Sequence, residues 1–353
     1  MRPNIIYVCN NDGSDTRVVK EVTSLSRCYD VHFLGIGSGD NSFARDLVAT
    51  FVLIAGSHRS MLALLQLAFN VVKLRFKKNI SSIHVVNEQV LLAILPSIVG
   101  SRVVLDLFDS LFLKINAIGE KLWLLKRLLY GASTYIIITD ELRRQLMPAF
   151  SISKTHVIPN APFKDKHMPA KTFSNDGVTI AYFGTLLEHR GTSVIRELLE
   201  HHPDITALCA GWSVDEPSQE LQRHPRVRWL GVIPQREANR IIAKEADYIL
   251  AIYPSDNYNN RFASPNKIFD AIHTRTPLIC SDHIKLSEFV RENNLGLLVG
   301  SPGDLNYKEF GKLLKSYKGK FEMNPSLLDQ YSWDAFEQKL LDLHAPPTAR
   351  PQG

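Results

Sequence analysis

The stretch RFASPNKIFDAIHTRTPLICSDHIKLSEFVRENNLGLLV, residues 261–299, sets the pattern that the rest of the chain repeats. Ser264 and Pro265 read as an N-cap and first helical position, because the hydroxyl can accept an orphan backbone N–H and the ring presets φ. A helix then runs through Lys267, Ile268, Phe269, Asp270 and Ile272. Two short apolar runs follow, Pro277–Cys280 and Gly296–Val299, with a helical segment between them, as in a parallel α/β sheet. Lys267 is misplaced by ordinary helix electrostatics. A cation in the first turn faces the positive end of the macrodipole, at a cost of about 0.5 kcal/mol. An anion would reverse that cost, since free N–H groups and an ammonium together form a seat for phosphate or diphosphate. The other reading pairs Lys267 with Asp270, three residues on.

The same alternation extends in both directions. Upstream, Ile5–Cys9, Val31–Leu34, Val52–Ala55, His84–Val86, Val103–Asp106 and Tyr135–Thr139 read as strands, with helices at Thr16–Arg27 and Ser60–Lys77. A polar, lysine-rich stretch at 163–176 reads as a linker. Thr179–Phe183, Thr206–Ala210, Val227–Leu230 and Tyr248–Ile252 then open a second series. The expected architecture is α/β, two Rossmann-like domains facing a cleft. They span 1–162 and 177–325, with a C-terminal helix within 326–344 and a frayed tail at 345–353.

At 353 residues, with 45% hydrophobic and 22% charged residues, the chain is globular and long enough for two domains. Its charge is uneven. Residues 1–165 hold 19 Lys and Arg against 13 Asp and Glu, while the remainder holds 22 against 23. A basic N-terminal half suggests an anionic partner. Met61–Lys78 and Leu111–Arg127 mix lysines and arginines with a large apolar content, which suits an anionic bilayer or, equally, a domain core. Nucleic acid is disfavoured, since aromatics are not interleaved with the basic residues. Cys9, Cys28, Cys209 and Cys280 form no Cys-x-x-Cys pair and read as buried thiols. No secretion signal precedes Ile5–Cys9, and no run is long enough to span a bilayer. A cytoplasmic protein is expected, with the inner face of the cell membrane as a candidate surface.

Paired Rossmann-like domains fit dehydrogenases, solute-binding proteins and nucleotide-sugar enzymes. A dehydrogenase needs Gly-x-Gly-x-x-Gly after a strand, whereas the first strand here leads into Asn10-Asn11-Asp12-Gly13-Ser14-Asp15. A solute-binding protein would carry an export signal. Several segments resemble group 1 glycosyltransferases of the GT-B fold, of the bacterial polysaccharide and glycolipid type. Thr185-Leu-Leu-Glu-His-Arg-Gly191 is similar to the family's glycine-bracketed phosphate loop, and Leu230-Gly-Val-Ile-Pro234 to its "flG.v" loop. Ala263-Ser-Pro-Asn-Lys-Ile-Phe-Asp-Ala271 resembles "aSPnKlfEym", followed by Thr276-Pro-Leu-Ile279 and Asn294-Leu-Gly296. Asp15-Thr-Arg-Val18, Leu105-Asp-Leu-Phe-Asp-Ser110 and Ile158-Pro-Asn160 match N-terminal landmarks in order.

The resemblance implies transfer of a hexose, with retained configuration, from a nucleotide diphosphate sugar to a lipid-linked or saccharide acceptor. The sugar nucleotide is a co-substrate, and no metal or other cofactor is implied. Donor contacts fall on Gly13, Gly184, Arg190, Ser264, Lys267 and Asp270. Arg190 and Lys267 would stabilise the departing diphosphate, and Asp270 would hold the ribose hydroxyls. Asp109, just after a strand, could accept the proton of the acceptor hydroxyl, with Asp106 capping or orienting that loop. The family's paired glutamates fall on Phe262 and Asp270, so the first is absent and the second shortened, which leaves stereochemistry open. Each residue also has a plainer reading: Gly13 a tight turn, Asp109 a turn former, Trp212 a packed indole rather than a base-stacking one. Asn160 reads as part of a hinge, and His58, His84 and His189 lack ligand spacing. A nucleotide-sugar epimerase, or a non-catalytic partner binding sugar nucleotide or lipid, remain the alternatives.

Overall fold

Runs such as Ile5-Ile6-Tyr7-Val8 and Ile136-Ile137-Ile138 are buried along their whole length, as strands covered by helices on both sides must be. The computed structural model describes residues 2–38, 42–57, 60–172 and 177–346. The chain divides into two compact units, Met1–Pro159 with Trp333–Gly353, and Asn160–Ser332.

In the first unit the strands are β1 (Asn4–Val8), β2 (Asp30–Ile36), β3 (Thr50–Ile54), β4 (Ile80–Val86), β5 (Val103–Leu107), β6 (Tyr135–Ile138) and β7 (Thr155–Val157). They form one parallel sheet in the order β3-β2-β1-β4-β5-β6-β7. The second unit holds β8 (Val178–Leu186), β9 (Ile205–Ser213), β10 (Val227–Trp229), β11 (Tyr248–Ala251), β12 (Leu278–Ser281) and β13 (Gly296–Val299). These are parallel too, in the order β10-β9-β8-β11-β12-β13. Each order reverses once, between β1 and β4 and between β8 and β11. Open α/β sheets leave a ligand crevice at the carboxyl ends of the strands flanking such a reversal. Both units are therefore Rossmann-like.

The helix Trp333–His344 belongs to the first unit, where it packs on the helix Thr16–Cys28. Trp333 is fully buried, and its indole N–H donates to Ser24 Oγ at 2.8 Å. At the other end His344 is also buried, hydrogen-bonded to Ser82 (2.8 Å) and His84 (3.1 Å). Beneath it, Arg17 forks onto Asp106 at 2.5 and 3.0 Å, faces Glu21 at 3.1 Å and donates to the Ile158 carbonyl.

Four expectations need correction. Strand β7 is too short and polar to show in the apolar pattern. Cys28, at the exposed end of its helix, is not buried, unlike the other three thiols. Asp106 neither caps nor orients a loop; it is the buried counter-ion of Arg17. The helix after Ser264 starts one residue late. Pro265, with φ −62° and ψ 129°, occupies the N-cap of Asn266–Thr274, which has no side-chain cap. Residues 347–353 of the expected tail and His58 lie outside the described residues.

Candidate donor-binding site

The site is built at the sheet reversal of the second unit, where β8 and β11 end side by side. Near its end β8 carries Gly184, in register with Gly211 of β9. A Cβ on Gly211 would lie 1.9 Å from the Gly184 carbonyl, at a φ of +121°, so this crossing admits only glycine. Beyond β8 the chain makes a single turn at Glu188–Arg190 and enters the helix Thr192–His201 through Gly191. Gly191 sits at φ +128° against Leu250 of β11. The Tyr182 hydroxyl pins the loop, accepting from the Leu187 N–H (3.0 Å) and donating to its carbonyl (3.2 Å).

This turn delivers Arg190 to the end of β11. Its guanidinium lies 5.4 Å from the Tyr253 ring centroid, and Nη2 donates to Asn260 Oδ1 at 3.3 Å. Asn260 is buried and held from the other side, its Nδ2 donating to Asp256 Oδ1 at 2.6 Å. The Nε of Arg190 is buried with no hydrogen-bond partner. A guanidinium held through Nη2 with its Nε–H unanswered keeps a charged donor for an anion.

Lys267 reaches the same place from the helix Asn266–Thr274. Its Nζ lies 3.9 Å from the point where a Cβ on Gly184 would sit. It makes no hydrogen bond or ion pair among the described residues. Asp270 Oδ1 accepts instead from Gln235 (2.9 Å) and Asn239 (3.0 Å), both on the helix Gln235–Glu245. Burial, and then the charge of Arg190, push the Lys267 amine down to about 8. Ser264 Oγ, one residue before the cap, is buried without a partner. One end of the second sheet thus gathers two cations, an uncapped helix start and an unanswered hydroxyl.

The remaining candidates divide. Gly13 and Asp109 belong to the first unit. The Gly13 N–H donates to Asn11 Oδ1 at 2.9 Å, and a Cβ there would lie 2.9 Å from Ala44 Cβ, which marks a packed tight turn. Asp109 is half-exposed after β5, ion-paired to Lys114 at 2.5 Å, and its backbone N–H donates to Asn87 Oδ1. Trp212, at the end of β9, is 38% exposed. Phe262, in the place of the family's first glutamate, is buried and stacks on Tyr258 at 6.0 Å. Tyr253, Asn260, Gln235 and Asn239 escaped the sequence reading, since their roles arise only when strand ends and a neighbouring helix meet. Among the described residues, Glu21, His84 and Asp106 are spaced as a metal ion would need, but Arg17 already supplies positive charge to that buried group.

No protein-family model and no curated protein matches the chain. Solved structures do. HepE of Anabaena in complex with UDP and glucose superposes with a TM-score of 0.71 at 14% identity, covering 97% of this chain and 99% of that one. A glycosyltransferase of Rickettsia africae gives 0.66 at 13%, covering 97% and 98%. Sucrose-phosphate synthase of Thermosynechococcus elongatus gives 0.65 at 13%, again covering 97% and 98%. At these identities the likeness speaks for architecture, and with the two parallel sheets it shows that this chain has the GT-B fold, two Rossmann-like α/β domains in series.

Proposed function

We propose that the protein is a glycosyltransferase that moves a hexose from a nucleotide diphosphate sugar to a lipid-linked or saccharide acceptor, in polysaccharide or glycolipid biosynthesis. The observation that carries this reading is the unpaired Lys267 ammonium beside the unanswered Nε of Arg190, at the start of an uncapped helix. Such a constellation is costly unless an anion completes it. The UDP and UDP-glucose bound by HepE are donors and products of the chemistry it would serve.

When the bond between the sugar's anomeric carbon and the diphosphate oxygen breaks, its electron pair leaves with the oxygen, and negative charge grows on the terminal phosphate. Arg190, Lys267 and the backbone N–H groups of Asn266 and Lys267 are fixed before reaction and neutralise that charge as it develops. Asp270, oriented by Gln235 and Asn239, accepts the ribose hydroxyls. A lipid-linked acceptor would bring the reaction to the cytoplasmic face of a membrane.

Incubation with a panel of nucleotide sugars, with and without membrane extract, tests the reading through release of nucleoside diphosphate. Acceptor-dependent release that Lys267→Ala abolishes, with the fold intact by circular dichroism, is expected. Release that is unaltered in Lys267→Ala would refute the site. The buried Phe262, where an acid would contact the donor sugar, favours one second reading, a non-catalytic partner. That protein would bind the donor without turning it over. An epimerase would convert the sugar with no acceptor present.

A further inference from the structure

The helix Met61–Lys77 carries two apolar stripes on opposite sides. Ala63, Leu67 and Val71 face the sheet and are buried in the core of the first unit. Leu62, Leu65, Phe69 and Phe76, spaced by three, four and seven residues, share the other side. They are 66%, 60%, 67% and 87% exposed. A helix of a water-soluble domain ordinarily turns polar residues outward here. The stripe continues sideways. The helix Asn87–Ile94 packs between this helix and Trp123–Ala132, whose Leu124 and Leu128 are 77% and 51% exposed.

Charge around these side chains is mostly positive. Residues 61–102 contain a single carboxylate, Glu88, which is buried beneath Ser110 and Tyr130. The exposed charges of this stretch include Lys73, which lies on the stripe itself, and Lys77 and Lys78 at the end of the helix. Lys121 and Arg127 stand beside Leu124 and Leu128, with Glu120 as the one acid of residues 111–132. An apolar band rimmed by cations suits a surface that is apolar within and anionic at its boundary. A protein partner would need the same combination in a matching shape. A bilayer with acidic headgroups presents it without any, so we infer that the outer face of the helices Met61–Lys77 and Trp123–Ala132 docks on an anionic lipid bilayer. The helix, about 25 Å long, would lie in the plane of the headgroups, its four apolar side chains in the acyl boundary and its lysines among the phosphates. The face belongs to the first unit alone and is measured without any nucleotide, so its failure and that of the donor site are distinguishable.

Flotation of the full-length protein on vesicles tests the inference. Phosphatidylcholine vesicles containing phosphatidylglycerol are expected to carry the protein upward, and phosphatidylcholine alone to leave it below. L65Q with F69Q should lower the bound fraction more than about tenfold, since the apolar insertion supplies most of the affinity. K73Q with K77Q should lower it by about tenfold and remove most of the salt dependence. All four positions are exposed, so thermal unfolding should not move. Failure to float on anionic vesicles would overturn the inference, as would equal flotation of L65Q/F69Q. A dimer in solution that L65Q/F69Q dissociates, with no vesicle binding, would overturn it in favour of a second copy of the chain.

Discussion

Raising the pH should weaken nucleoside diphosphate binding, and Lys267 sets the range. Its amine is pushed down to about 8 by burial and by Arg190. In the free protein at pH 7 about nine-tenths of the lysines carry a proton, and at pH 9 about one-tenth do. A bound diphosphate favours the charged form and draws its pKa upward, so binding takes up a proton above pH 8. Affinity should therefore fall about tenfold between pH 7 and 9, roughly 1.4 kcal/mol. The ligand does not obscure this, because its last phosphate ionisation lies near pH 6. Isothermal titration at pH 7, 8 and 9, in two buffers of different ionisation heat, measures both the affinity and the proton taken up. In Lys267→Arg the charge persists at every pH tested, so the slope should vanish even if binding is weaker. A flat profile in the unaltered protein, or the same slope in Lys267→Arg, would refute the reasoning.

Asn260→Ala should remove the prop under Arg190 and raise KM for the donor several-fold with a smaller change in kcat, while unfolding in urea shows a loss of about 1 kcal/mol. Gly211→Ala should cost about 3 kcal/mol or more, seen as a collapse of Tm or of soluble yield, because its Cβ meets the Gly184 carbonyl. Acid should destabilise the first unit. Burial, and then His84 beside it, hold the His344 pKa well below its ordinary value of 6.5, with Glu21 opposing and Arg102 adding to the shift. The unfolded chain thus binds the extra proton first, so stability is full above about pH 6.5 and declines as pH falls below it. His344→Gln should flatten that decline in urea titrations between pH 7 and 5.

Parallel strands advertise themselves in sequence, because burial on both faces demands continuous apolar runs. Residues 135–138 and 248–251 show this, and the alternation with helices then dictates a parallel sheet. The oddity of Lys267 was equally local: a cation in a helix's first turn conflicts with the dipole whatever surrounds it. Short or polar elements left no such trace. β7 has three residues, and the turn carrying Arg190 depends on Gly191 finding room against Leu250. The spacing of Lys267 and Asp270 left pairing and anion binding equally open. What the spacing could not show is that Gln235 and Asn239, on another helix, both donate to Asp270 Oδ1.

The chain's composition and periodicity alone determined two α/β domains and a basic N-terminal half, since these follow from each residue's own preference for water and for its backbone neighbours. Tertiary structure decided which of two apolar stripes on Met61–Lys77 is core and which meets solvent. It also brought Arg190, 77 residues away in sequence, beside Lys267. Partners distant along the chain meet only when strand order places their ends together, and no local pattern encodes that order.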